Sequence, residues 1–132
     1  MTRGKALIRG GDRYLTRIEV NGHAIIADEP AQHGGGDVGP SPYDLVLAGL
    51  GACTAITLRM YADRKNWSLD QLEVQLDLIA DASGDRHIRR VLVPTGLDAD
   101  QAARLLEISE KTPVTLTLKE GIAIRTTISG IK

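Results

Sequence analysis

The sequence predicts a mixed α+β chain, and three observations carry that reading. Tyr14-Leu15-Thr16-Arg17-Ile18-Glu19-Val20 is dense in β-formers and is followed by Asn21-Gly22, the strongest short hairpin signal, with His23 to Ala27 pairing back. Ser41-Pro42-Tyr43-Asp44 has the chemistry of a helix start and opens a long apolar stretch. Leu72 to Leu78 alternates apolar and polar residues strictly, the period of a strand with one face in a core.

Taken in chain order, a short strand is expected over Lys5 to Arg9, ended by Gly10-Gly11. After the hairpin, Asp28-Glu29-Pro30 and Gly34-Gly35-Gly36-Asp37-Val38-Gly39-Pro40 suit neither helix nor sheet and read as a loop. Ser41 then suits an N-cap and Pro42 the first helical position, where its missing N–H costs nothing. Asp44 lies three residues on from Ser41, as in a capping box. From Leu45 the helix is apolar on nearly all sides, which predicts burial. It runs out through Arg59 and Asp63-Arg64-Lys65, cations that suit its C-terminal dipole, and Asn66 can take the left-handed cap. Ser83-Gly84-Asp85 marks a turn, with Ile88 to Val93 as the returning strand. A second helix is expected from about Asp98, with Gln101 three residues later, to Lys111, where Pro113 helps stop it. Val114 to Leu118 reads as extended by propensity, and Ile122 to Ile128 as a last strand.

Length and composition narrow the class. A chain of 132 residues is expected to form one domain, and its charged residues nearly cancel at net −1, so neither nucleic acid nor an anionic membrane is an expected partner. Three Tyr, one Trp and no Phe leave a core of aliphatic side chains, thin for this length, and a second copy of the chain would supply the missing burial. A homodimer is therefore expected. The single cysteine rules out an intramolecular disulfide and fits a cytoplasmic protein. The segment Met1 to Arg9 has basic residues but no apolar run of signal-peptide length. The run from Leu45 to Ile56, broken by Gly49, Gly51 and Thr54, reads as too short for a bilayer and the protein as soluble. No cofactor is expected. His23, His33 and His87 have no metal-ligand spacing, and the triglycine lacks the Lys-Ser/Thr of a phosphate loop. Trp67, just beyond the long helix, reads as a core anchor.

Cys53 is then the one candidate for chemistry. A free cysteine in an apolar helix is by habit a small packing residue. Against that stand Gly49 and Gly51, each costing on the order of 1 kcal/mol of helix stability relative to Ala, which predicts that another backbone approaches here. Cys53 lies eleven residues beyond Pro42, roughly three turns in, so the helix dipole cannot make it a thiolate. A cation is needed, and Arg13, Arg17, Arg59 and Lys111 are the candidates, Arg being preferred because it keeps its charge when desolvated.

These residues resemble the OsmC/Ohr family. The resemblance rests on Asp28-Glu29-Pro30, Gly-Gly-x-Asp-x-Gly-Pro ending at Pro40, Ser-Pro-Tyr-Asp-Leu, Leu-Gly-Ala-Cys-Thr over residues 50–54, Leu-Arg-Met-Tyr-Ala over residues 58–62, Arg64-Lys65 and Trp67; it resumes over residues 105–118. It implies an intertwined α+β homodimer, with strands from both chains around two central helices, and thiol-dependent reduction of organic hydroperoxides at the dimer interface. In that chemistry a first cysteine, matched by Cys53, attacks the peroxide and becomes a sulfenic acid. A second, in Lys-x-Cys-Pro-Val, resolves it as a disulfide. Here the motif reads Lys111-Thr112-Pro113-Val114, and Thr112 cannot form that bond. The His-Arg that commonly follows is replaced by Thr115-Leu116. The resemblance also implies an Arg and a Glu that orient and activate the thiolate. Arg13 matches the Arg by position; the Glu position falls on Tyr43 with Asp44 beside it, and Asp44 reads more as a helix cap than as a catalytic group.

Three functions follow as expectations. The first is a one-cysteine thiol peroxidase in which an external thiol reductant regenerates Cys53. The second is a non-catalytic dimer binding a small apolar ligand in the interfacial pocket, with Cys53 as packing. The third, a Cys53 disulfide between subunits, ranks last because cytosolic thiols stay reduced.

Overall fold

The computed structural model describes residues 4–130, so the part of the N-terminal reading that concerns Met1 to Arg3 lies outside the described residues. Over the described residues the fold is α+β, with small antiparallel sheets and three α-helices. Its elements fall into two compact units, one ending at Ala48 and the other beginning at Gly49.

The first unit is a meander of three antiparallel strands, β1 (Ala6–Gly10), β2 (Thr16–Val20) and β3 (His23–Ala27). Asn21 and Gly22 both have positive φ, 49° and 86°, the two-residue turn that matches strand twist, and Val20 pairs with His23 across it. β2 begins at Thr16, two residues later than expected. The loop beyond β3 is closed on itself by its own backbone. Asp28, buried, accepts hydrogen bonds from Glu29 N at 2.8 Å and Val38 N at 3.2 Å, while its own N–H donates to Pro40 O at 3.0 Å. A Cβ on Gly35 would lie 2.0 Å from Glu29 O, so only glycine allows this approach.

The long helix α1 (Pro42–Arg64) starts where expected. Asp44 N donates to Ser41 Oγ at 3.2 Å and Ser41 N donates to Asp44 Oδ2 at 3.0 Å, a reciprocal cap. Ser41→Ala is expected to lower stability by about 1 kcal/mol, measured by urea unfolding. At the other end Asn66 has φ 57°, and Trp67 N and Asn66 N donate to Ala62 O and Asp63 O, the paired bonds of a Schellman stop. Trp67 is half-buried, its ring edge-on to Tyr61 at 5.4 Å.

In the second unit β4 (Gln71–Ala80) and β5 (Arg86–Thr95) form one long hairpin around Asp81-Ala82-Ser83-Gly84-Asp85. The Asp81 side chain takes Ser83 Oγ, Ser83 N and Asp85 N, and these bonds, the Ser83 hydroxyl first, hold its carboxyl below the ordinary range. On one face of the hairpin the cross-strand pairs are Leu72–Pro94, Val74–Leu92, Leu76–Arg90 and Leu78–Ile88, all partly buried. Helix α2 (Ala99–Ser109) begins on a full capping box of Asp98 and Gln101. Helix α3 (Pro113–Glu120) follows, tied to α2 by the Lys119–Glu110 ion pair at 2.6 Å.

Several expectations are corrected. Val114 to Leu118 is helical: Pro113 presets the first turn, and Thr112 and Thr115, three apart, turn their hydroxyls inward to hydrogen bonds that a strand would break. No strand occurs over Ile122 to Ile128 among the described residues; Ile122, Ile124 and Ile128 are 74%, 85% and 82% exposed. Helix α1 is not buried on all sides within one chain. It buries the stripe Leu50, Thr54, Leu58 and Ala62 and leaves Val46, Ile56 and Met60 exposed. Nor is its apolar stretch too short for a bilayer, since by length and composition alone α1 could cross one.

Candidate functional site

Cys53 is half-buried on α1, with Sγ 3.9 Å from Thr57 Oγ1 one turn further on. Of the two glycines beside it, Gly51 is the one under constraint: a Cβ there would meet Leu76 Cδ1 of β4 at 2.8 Å. The close neighbour is thus a side chain, not the backbone the sequence suggested. A Cβ on Gly49 would meet nothing within 4 Å in this chain.

Next to Cys53, Thr54 is fully buried and begins a network of hydroxyls organised by one guanidinium. Its Oγ1 donates to Leu50 O at 2.7 Å and accepts from Arg90 Nη1 at 2.9 Å. Arg90 Nη1 also donates to Thr115 Oγ1 at 2.9 Å, and Nη2 to Ser109 O at 2.9 Å. Thr115 Oγ1 lies 2.6 Å from Thr112 Oγ1, and Ser109 Oγ donates to Leu106 O at 2.6 Å. Thr112, where the family motif has its second cysteine, is therefore a fully buried member of this network rather than an idle replacement.

The other sequence candidates have defined places. Arg13, at φ 55°, donates from Nη2 to Gly34 O at 2.6 Å and lies over the Tyr14 ring. With Tyr14, Thr16, Ala27, Asp28, Glu29 and Pro42 it lines a cavity of about 280 Å³ within the first unit. Asp44 is engaged in the α1 cap. Arg17 is exposed on β2, and Lys111 is exposed between α2 and α3. Arg59 donates to the carbonyls of Leu69 and Asp70 and fastens the end of α1 to the start of β4. Among the described residues no cluster of His, Cys, Asp and Glu could hold a metal ion; His33 lies 3.7 Å from Glu29 across one turn.

Sequence reasoning missed Arg90. Its signal was present in β5, where Ile88, Arg90, Leu92 and Pro94 share the inward face, so one charged residue sits on the apolar side of an alternating strand.

The profile of OsmC-like proteins matches residues 34–127. Among solved structures, the organic hydroperoxide resistance protein OhrB of Bacillus subtilis is 26% identical, over 91% of this chain and 93% of that one, with a TM-score of 0.63. An organic hydroperoxide resistance protein OsmC from Legionella pneumophila is 21% identical over 90% of each chain, TM-score 0.68. An OsmC-like protein from Mycoplasma pneumoniae is 15% identical over 91% and 89%, TM-score 0.72. No curated protein matches in sequence.

Proposed function

Because the chain belongs to the OsmC-like family, in a form without the second cysteine, we propose that it is a one-cysteine thiol peroxidase for organic hydroperoxides. The observation that carries this is Cys53, half-buried rather than sealed, on a helix turn fixed by Thr54 and Gly51. The resistance proteins of Bacillus subtilis and Legionella pneumophila support the substrate class.

The chemistry balances without a second cysteine. The Cys53 sulfur attacks one peroxide oxygen, the O–O bond breaks, and the alkoxide takes a proton and leaves as an alcohol, with Cys53 oxidised to a sulfenic acid. An external thiol displaces water to form a mixed disulfide. A second external thiol then releases reduced Cys53 and carries away the disulfide. Arg13 is the candidate for orienting the peroxide group, and Asp44 serves through the cap of α1. The test is consumption of cumene hydroperoxide and of hydrogen peroxide with dithiothreitol. Turnover preferring the organic peroxide is expected; no turnover above the thiol alone would favour an apolar-ligand protein in which Cys53 only packs.

The active form in this reading is a cytoplasmic, intertwined homodimer of one-domain chains. Support comes from apolar surface that a single chain leaves uncovered: Val46, Ile56 and Met60 on α1, Leu7 and Ile8 on β1, and alternating Ile122, Ile124 and Ile128. A second copy that covered these side chains would bury them. We read α1 as a core helix covered by a second copy rather than a membrane span, since Thr54 on it holds a guanidinium. The intact chain is expected to sediment as a dimer and a chain ending at Gly121 as a monomer. A monomeric intact chain would contradict this.

A further inference from the structure

We infer that Arg90 is a positioning residue for Cys53, locking the turn of α1 that carries it. Two contacts from the β4–β5 hairpin reach that turn, and they come from one cross-strand pair. Leu76 and Arg90 are direct partners in the sheet. Leu76 Cδ1 occupies the space a Cβ on Gly51 would need, and Arg90 Nη1 holds Thr54 Oγ1. Positions 51 and 54 are three apart, neighbours on one helix face, and Cys53 lies between them in the chain. A single pair of the sheet therefore fixes both the height and the rotation of the cysteine turn.

The far side of the guanidinium is anchored just as firmly. Thr115 Oγ1 and Ser109 O accept from it, and Thr112 Oγ1 backs Thr115 at 2.6 Å. The three acceptors are neutral and fix the plane of the guanidinium, while its charge acts through space on the Glu110 carboxylate, which it helps hold below its ordinary range after the larger effect of Lys119. A planar fork bridging two hydroxyls and a carbonyl has far less freedom than the ammonium of lysine, and a satisfied polar network of this kind rigidifies what it joins. Release of Arg90 would free Thr54, and with it the adjacent thiol.

This rests on Cys53 being the reactive group, but its test does not need turnover. In Arg90→Met, alkylation of Cys53 by iodoacetamide is expected to rise about tenfold, because the half-buried thiol opens. Single-turnover attack on cumene hydroperoxide is expected to fall about tenfold, because alignment is lost. Arg90→Lys, which keeps a donor to Thr54 but loses the fork, is expected to bring both rates only part of the way back, to about threefold from wild type at best. The opposite signs and the lysine rescue separate positioning from loosening, which would raise both rates. Thr115→Val, which leaves the bonds to Thr54 and Ser109, is expected to raise alkylation about threefold and decides the matter should Arg90→Met not fold. Unchanged alkylation in folded Arg90→Met, or in Thr115→Val in its place, overturns the inference. Wild-type protein inert to peroxide, with the alkylation response intact, overturns the peroxidase reading alone.

Discussion

Cys53→Ser is expected to reduce thiol-dependent consumption of cumene hydroperoxide to the rate seen without protein, a loss of at least about 10³-fold. The chain has one cysteine, so no other thiol can take over the attack on the O–O bond. Serine is nearly the same size, and Cys53 is half-buried rather than sealed, so a serine hydroxyl there is not stranded in a closed apolar site. Stability should therefore change by less than about 1 kcal/mol, within the range of a conservative change at a partly exposed position. Peroxide consumption and thermal unfolding measured on the same preparations separate the chemical loss from a folding loss. Persistent turnover in the serine variant would place the reaction elsewhere.

Leu58→Ala is expected to be the most destabilising substitution in α1, by about 3 kcal/mol or more in urea unfolding. Leu58 is fully buried, one turn beyond Thr54 on the stripe Leu50, Thr54, Leu58 and Ala62. Removing its side chain loses transfer free energy and leaves a cavity. Met60, two residues on, is 52% exposed in the single chain and gives the internal comparison. Met60→Ala should cost less than about 1 kcal/mol in a chain ending at Gly121, and appreciably more in the intact dimer if a second copy covers this face. Equal losses for the two substitutions in the truncated chain would contradict the burial described for α1.

The elements with strong local punctuation were legible in the sequence. Asn21-Gly22 and Ser41-Pro42-Tyr43-Asp44 set their own backbone conformations, and Asp98 with Gln101 closes a capping box, so each appears where its chemistry places it. The misses turn on tertiary context, its presence in one case and its absence in the other. Val114 to Leu118 favours a strand, but Thr112 and Thr115 must face Arg90 and Ser109 O together, and only a helix puts residues three apart on one side. Ile122 to Ile128 has the alternation of a strand but pairs with no strand among the described residues. Among the candidate residues, Cys53 stood out because it is the lone thiol, and the cap formed by Asp44 was legible because capping is local. Arg90 was not, since its role depends on α1, α2 and α3 converging on one guanidinium from residues 19 to 36 positions away in sequence.

The most direct test of the central claim is the mass of Cys53 after reaction of reduced protein with one equivalent of cumene hydroperoxide, with no reductant present. The account predicts one added oxygen on the peptide containing Cys53, an equal amount of alcohol released, and return to the starting mass on addition of dithiothreitol. An unmodified Cys53 with the hydroperoxide still intact would contradict it and leave Cys53 as a packing residue of α1.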